Sequence, residues 1–278
     1  MTERIQTKNK TINVNKTGDG TNDILIIFIH GLTGNYLQMH HFQEYFKNSY
    51  DTLSYDLSGR GDSTMQTDPA NIHQHTEDLL QMIDILDYEK FILAGYSMGG
   101  YIALNAAGQS DKIQKVVLLD GGGIANENTS SLVIPSLGRL EKTFNSAEDY
   151  LDMMKQSYGA LGVEWSAVMD RVISHEIHEV NGDIKPKSDY TLTKQDFESF
   201  YDYPHSKIYE GVNVPVLLII CTGPIKDNTP LFSKDGYDLM SDTVKDIKSS
   251  DYALNHYEIV FNNNPGLNRE INNFLEME

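Results

Sequence analysis

Apolar residues along this chain gather in short, unbroken runs. Six of them read as strands: TINVN (11–15), ILIIFI (24–29), YDTLSYD (50–56), FILAG (91–95), QKVVLLD (114–120) and VPVLLII (214–220). Most are continuous rather than alternating, the pattern of strands covered on both faces within a parallel sheet. Between them the period lengthens to that of a helix. In IHQHTEDLLQMIDILD (72–87), the side chains of Ile72, Thr76, Leu79, Leu80, Ile83 and Leu86 fall on one stripe. YLQMHHFQEYFK and MGGYIALNAAG fill other gaps, and REINNFLEME ends the chain as a helix. Strand and helix in alternation predict a three-layer α/β/α sandwich.

The alternation stops once. From about 124 to 212 there is no convincing strand, and the text is rich in Met, Tyr, Glu and Asp, with helical pieces such as SAEDYLDMMKQSY and WSAVMDRVISHEIHEV. A segment of that length is too long for a loop in a compact domain. The expectation is a helical cap, residues 124–212, inserted into a core made of residues 1–123 and 213–278.

Charge narrows the possible partners. The 278 residues carry 40 Asp and Glu against 22 Lys and Arg, a net charge of -18. That balance repels phosphate backbones and anionic bilayers, so neither nucleic acid nor a membrane is expected as a partner. The polar start, MTERIQTKNK, has no apolar leader, and the longest apolar runs are too short to span a bilayer. Cys221 is the only cysteine, which excludes an internal disulfide. The expected setting is cytoplasmic, as a monomer or homodimer acting on a small molecule. No Gly-rich phosphate loop or Cys/His cluster stands out, so no cofactor or metal is expected. HEIH (175–178) has its two histidines three apart on an expected helix, one short of the spacing of a zinc-protease helix.

Candidate chemistry enters at AGYSMGG. Gly95-Tyr96-Ser97-Met98-Gly99 fits G-x-S-x-G, directly after an expected strand and opening an expected helix, as a nucleophile elbow requires. Side chains at 95 and 99 would collide across so sharp a turn, and the strain there lifts the serine hydroxyl off the sheet. A nucleophilic serine needs a base, and the base needs an orienting acid. In this fold both follow the serine in the chain. His256, in DYALNHYEIV, is the one histidine in the segment before the terminal helix, and a short apolar strand is expected to run into it. Asp227, the only carboxylate in TGPIKDNTP after VPVLLIIC, is the preferred acid; Asp120, at the end of KVVLLD, is the alternative. The oxyanion would rest on the Met98 N–H, at the start of the helix, and on the Leu32 N–H, in the loop of FIHGLTGN. His30 reads as a hydrogen-bonded structural residue.

HGLTG, YDLSGRGDS, GYSMGG, Asp227 and His256 together resemble the α/β-hydrolase superfamily, outside residues 124–212. The resemblance implies a mostly parallel sheet of about eight strands with a helical cap after the sixth. It also implies Ser97 as nucleophile, His256 as base, Asp227 as acid, and a shaping role without chemistry for DLSGRGDS. A serine at position 97 departs from the branches with an aspartate nucleophile. HGLTG is not the HGGG loop of the hormone-sensitive-lipase-like esterases. Tyr101 stands where a synthase branch keeps an arginine for an anionic substrate. The expected function is serine hydrolysis of a carboxylic ester or similar acyl compound. Tyr150, Met153, Met154, Tyr158 and Trp165 are available either to roof an apolar pocket or to form ordinary cap core. Two alternatives remain: C–C bond or lactone hydrolysis by the same three residues, and a ligand-sensing or stress-signalling partner without turnover.

Overall fold

The computed structural model describes residues 2–225 and 229–277. Its main sheet is built from β1 (Thr2–Gln6), β2 (Thr11–Thr17), β3 (Ile24–Ile29), β4 (Asp51–Tyr55), β5 (Lys90–Tyr96) and β6 (Ile113–Leu119), completed by β9 (Val216–Cys221) and β10 (Ile247–Tyr252). A separate hairpin pairs β7 (Ile177–Val180) with β8 (Asp183–Pro186). The helices are α1 (His40–Phe46), α2 (Ile72–Ile85), α3 (Met98–Ala107), α4 (Glu127–Leu137), α5 (Ala147–Ala160), α6 (Ala167–His175), α7 (Tyr190–Glu198), α8 (His205–Gly211), α9 (Asp238–Thr243), α10 (Glu258–Phe261) and α11 (Pro265–Glu276).

The eight strands lie in the order β1-β2-β4-β3-β5-β6-β9-β10. The pairs β1–β2 and β2–β4 are antiparallel, and every later pair is parallel. This is the mostly parallel, doubly covered sheet that the apolar runs predict. The run ILIIFI shows why it is unbroken. Leu25, Ile27 and Ile29 pack with Leu79, Met82 and Ile83 of α2 on one face. Ile26 and Phe28 pack with Phe42 and Phe46 of the α1 side and with Phe274 of α11 on the other. Alternate residues of a strand point to opposite faces, so two covered faces require apolar residues at both parities.

Three features differ from the sequence reading. The outer strands β1 and β10 have little apolar signal, because an edge strand has one neighbour and a wetter face; in TERIQ only Ile5 is buried. The strand ahead of His256 is therefore the polar IKSSDY rather than an apolar one, and EIV belongs to α10. Within the insertion, HEIH is not a helical stretch: α6 ends at His175, and Ile177 opens β7. The turn between β7 and β8 is Asn181-Gly182, with φ of 54° and 89°. Positive φ at both central residues is what a tight hairpin of this type demands, and Asn-Gly is its strongest sequence signal.

The inserted segment stands against the loops that follow β3 and β4. Asn35 Nδ2 donates to Val172 O at 2.8 Å, and His175 Nε2 lies 3.1 Å from an Asp56 carboxylate oxygen. The last inserted helix, α8, packs instead on α3 and α9, on the flank of the sheet. No helix among the described residues is long and apolar enough to cross a membrane.

Candidate active site

Ser97 joins β5 to α3 with φ 52° and ψ −116°, a left-handed backbone that a residue with a side chain adopts only under constraint. The constraint is visible on both sides. Its N–H donates to Leu119 O at 3.1 Å, and its carbonyl accepts from Gly100 N at 3.0 Å. A Cβ on Gly95 would lie 2.2 Å from Gly99 O, and one on Gly99 would lie 2.3 Å from Ile29 O. Both distances are far inside van der Waals contact, so the chain can turn here only with glycine at both places. Ser97 is 7% exposed and borders a narrow cavity that His256 also borders.

His256 lies in the loop between β10 and α10 and is 3% exposed. Tyr96 holds it twice: the rings stack at 4.8 Å, and the Tyr96 hydroxyl donates to His256 O at 2.9 Å. The His256 Nδ1–H donates to Asp120 Oδ2 at 2.7 Å. That leaves Nε2 as the free face of the ring.

The carboxylate on His256 is thus that of Asp120, the alternative acid of the sequence reading. Asp227, the preferred one, lies outside the described residues. Asp120 follows β6 in a left-handed conformation, φ 48°. Its other oxygen, Oδ1, accepts from Cys221 N at 3.0 Å and from the Tyr237 hydroxyl at 3.1 Å. Three donors around a fully buried carboxylate offset its desolvation and fix its orientation. Cys221 is buried at the end of β9, where burial and the Asp120 charge hold its thiol protonated.

The loop after β3 faces Ser97 closely. A Cβ on Gly31 would meet a Tyr96 ring carbon at 2.9 Å and Ser97 Cβ at 3.3 Å. The polar groups that flank the Leu32 N–H have fixed partners. Gly31 N–H donates to Gln38 Oε1 at 3.0 Å, and Gly31 O accepts from His30 Nδ1 at 2.7 Å. His30 Nε2 in turn accepts from Leu57 N at 3.0 Å. Its tautomer is set by these two contacts, and burial lowers its pKa to about 4, so the ring is neutral. Leu32 O accepts from Arg60 Nε at 2.7 Å. The N–H groups of Leu32 and Met98 themselves meet no acceptor among the described residues. Two unclaimed backbone donors beside a strained serine have the character of an anion site, and that of Met98 gains from the first turn of α3.

Arg60, from the DLSGRGDS loop, is among the largest fully buried side chains. Besides Leu32 O it reaches Gln66 Oε1 and Asp196 Oδ2, each at 2.7 Å. Asp196 sits on α7, so one guanidinium ties the Leu32 loop to the inserted segment. Asp196 is held down to about 2, despite its burial, by the charges and hydrogen bonds of His75, Arg60 and Gln66.

The cavity walls were partly missed in the sequence. Phe197 on α7, Phe200 just beyond it, and Thr129, Val133 and Leu137 on α4 line the space over Ser97. Helix α4 carries only a weak stripe, with Pro135 inside it, and offered no sign of this. Of the five cap residues expected, Met153, Met154 and Tyr158 border cavity space. Tyr150 is cap core, its hydroxyl on Glu176 Oε2 at 2.8 Å, and Trp165 donates to Asp170 at 2.9 Å. Tyr101 points away, stacked on Phe200 at 4.5 Å and fully buried.

Comparison with known proteins bears on the fold. The α/β hydrolase fold family matches residues 24–150, which contain the Gly31 loop, the elbow and Asp120. The chain has the α/β-hydrolase fold. Curated proteins to which it is similar include a 2-hydroxy-6-oxononadienedioate/2-hydroxy-6-oxononatrienedioate hydrolase of Comamonas testosteroni, 25% identical over 67% of this chain and 66% of that protein. A 3-hydroxybutyrate-oligomer hydrolase of Cupriavidus necator is 28% identical over 51% of this chain and 50% of that protein. The chain spans about two thirds or less of the length of the curated relatives it matches. Among solved structures, E-2-(acetamidomethylene)succinate hydrolase superposes with a TM-score of 0.86 at 18% identity, covering 100% of this chain and 99% of that one. The enol-lactonase of Burkholderia xenovorans gives 0.72 at 16% identity, covering 99% and 100%. At such identities these α/β-hydrolase structures speak for the fold.

Proposed function

We propose that this α/β-hydrolase is a serine hydrolase of a carboxylic ester or similar acyl compound. The observation that carries the reading is the buried 2.7 Å contact from His256 to Asp120, beside a strained Ser97 on the same cavity. In the proposed reaction His256 Nε2 takes the Ser97 proton as Oγ attacks the carbonyl carbon. Asp120 keeps the Nδ1 proton in place and stabilises the imidazolium that forms. The Leu32 and Met98 N–H groups take the charge that develops on the carbonyl oxygen. The leaving group departs with the proton from His256, and water then releases the acyl group through the same histidine. The test is hydrolysis of p-nitrophenyl acetate and butyrate by wild type and Ser97→Ala. Loss of turnover in the variant supports the serine mechanism, and equal rates would sink it.

A second reading keeps these residues and changes the bond to C–C. It is favoured by the length of the match to the Comamonas hydrolase, 67% of this chain. Turnover of a dienoic diketone, with none of simple esters, would select it.

A further inference from the structure

The cavity over Ser97 is small, about 60 Å³, room for only a handful of water molecules. It meets a second space of about 430 Å³ beneath α5 and the turn after α4. The two share Thr33, Ser136, Tyr158 and Tyr257 in their walls, so they lie side by side. A substrate whose carbonyl lies at Ser97 has this wider chamber for its remaining length.

The charges along that route are one-sided. Among the described residues, neither space is bordered by an Asp or a Glu, although the chain has 40 acidic residues and a net charge of -18. The wide chamber is bordered by two cations, Arg139 and Lys142. Arg139 is held in place: Nη1 donates to Ser136 O at 3.0 Å, and Nε approaches the Tyr150 hydroxyl at 3.4 Å. Its nearest carboxylate, Glu176, is 3.7 Å from Nη2, beyond a direct hydrogen bond. That carboxylate also receives the Tyr150 hydroxyl. Lys142 is exposed and has no side-chain hydrogen bond or ion pair among the described residues. The wide chamber is also bordered by the apolar side chains of Met153, Met154 and Leu161.

We infer that the substrate is an anionic acyl compound, with a carboxylate at the end remote from the scissile bond, which Arg139 and Lys142 receive across an apolar spacer. This rests on the serine-hydrolase reading for the reactive end and adds the chemistry of the other. It also places anion recognition on the cap side of the cavity, while Tyr101, behind Phe200, takes no part.

The test compares p-nitrophenyl hemiesters of succinate, glutarate, adipate and suberate with the same esters methyl-capped at the far carboxylate. Wild type should prefer the anionic ester by roughly 10- to 100-fold in kcat/KM at the best chain length, mostly through KM, as charge-assisted hydrogen bonds imply. Arg139→Gln and Lys142→Ala should each cut that preference several-fold, and the double variant should remove it. Lys207→Ala, which deletes a cation elsewhere, should leave the preference unchanged. A wild type without preference for the charged ester, or a preference untouched by both substitutions, would overturn the proposal. A second arm stands apart from turnover: calorimetric binding of the free dicarboxylates to Ser97→Ala. Binding that Lys142→Ala weakens supports the anion site even if no ester is cleaved, in which case the serine-hydrolase reading alone fails. Absence of binding at every chain length counts against the anion site.

Discussion

At the scale of single residues, the site depends on two left-handed backbones. Ser97 and Asp120 both have positive φ, and each is held by contacts from other strands. Replacing Asp120 by Asn keeps the shape but lets the amide face His256 Nδ1 with the wrong proton. The expected loss in kcat for p-nitrophenyl butyrate is about 10³- to 10⁴-fold, with KM little changed. Asp227→Asn should stay within a few-fold of wild type, and the reverse ranking would return the acid to the loop after β9. His30 makes a different prediction, on stability. Its folded pKa is lowered to about 4 from an ordinary 6.5. Between those values the unfolded chain binds a proton that the folded chain refuses. Stability is therefore full above 6.5 and falls as the pH drops toward 4, by about 3 kcal/mol from this residue. Urea midpoints at pH 7 and pH 4.5 should show that fall in wild type and a flatter one in His30→Asn; parallel slopes would remove His30 as its source.

At the scale of elements, the loops around Ser97 are fixed by buried side chains as well as by their own turn hydrogen bonds. Arg60 links the Leu32 carbonyl to Asp196 on α7, and His75 Nε2 lies 3.2 Å from the same Asp196 oxygen. Removing Arg60 leaves the buried Asp196 carboxylate without its guanidinium, held only by Gln66 and His75. Arg60→Met should lose about 3–5 kcal/mol in urea unfolding, and adding Asp196→Leu should restore much of it. If the pair has no such coupling, the two substitutions will simply add. The elements themselves were largely legible. Strands β3, β5, β6 and β9 carry continuous apolar runs because both of their faces are covered. Strands β1 and β10 do not, because a sheet edge tolerates polar residues. The β7–β8 hairpin was legible in Asn181-Gly182 but lay inside a segment read as helical throughout.

At the scale of the molecule, chain order predicted the α/β-hydrolase sheet and the segment inserted between β6 and β9. It also brought Ser97 and His256 to one cavity. It did not settle the acid. Asp120 comes after β6 and Asp227 after β9 in the chain, and those strands are adjacent and parallel, so chain order alone favours neither. What singles out Asp120 is assembled from far along the chain: Tyr237, Cys221 N–H and the ring of His256. The walls of the cavity were illegible for the same reason, since α4 and α7 acquire their inward faces only by packing over the Gly31 loop. The central claim is that Ser97 is a nucleophile activated by His256 and Asp120. Labelling the native protein with a fluorophosphonate, followed by peptide mapping, tests it most directly. A single adduct on Ser97, absent in Ser97→Ala and strongly slowed in Asp120→Asn, is the predicted result; no adduct on the folded protein, or one on another residue, would contradict it.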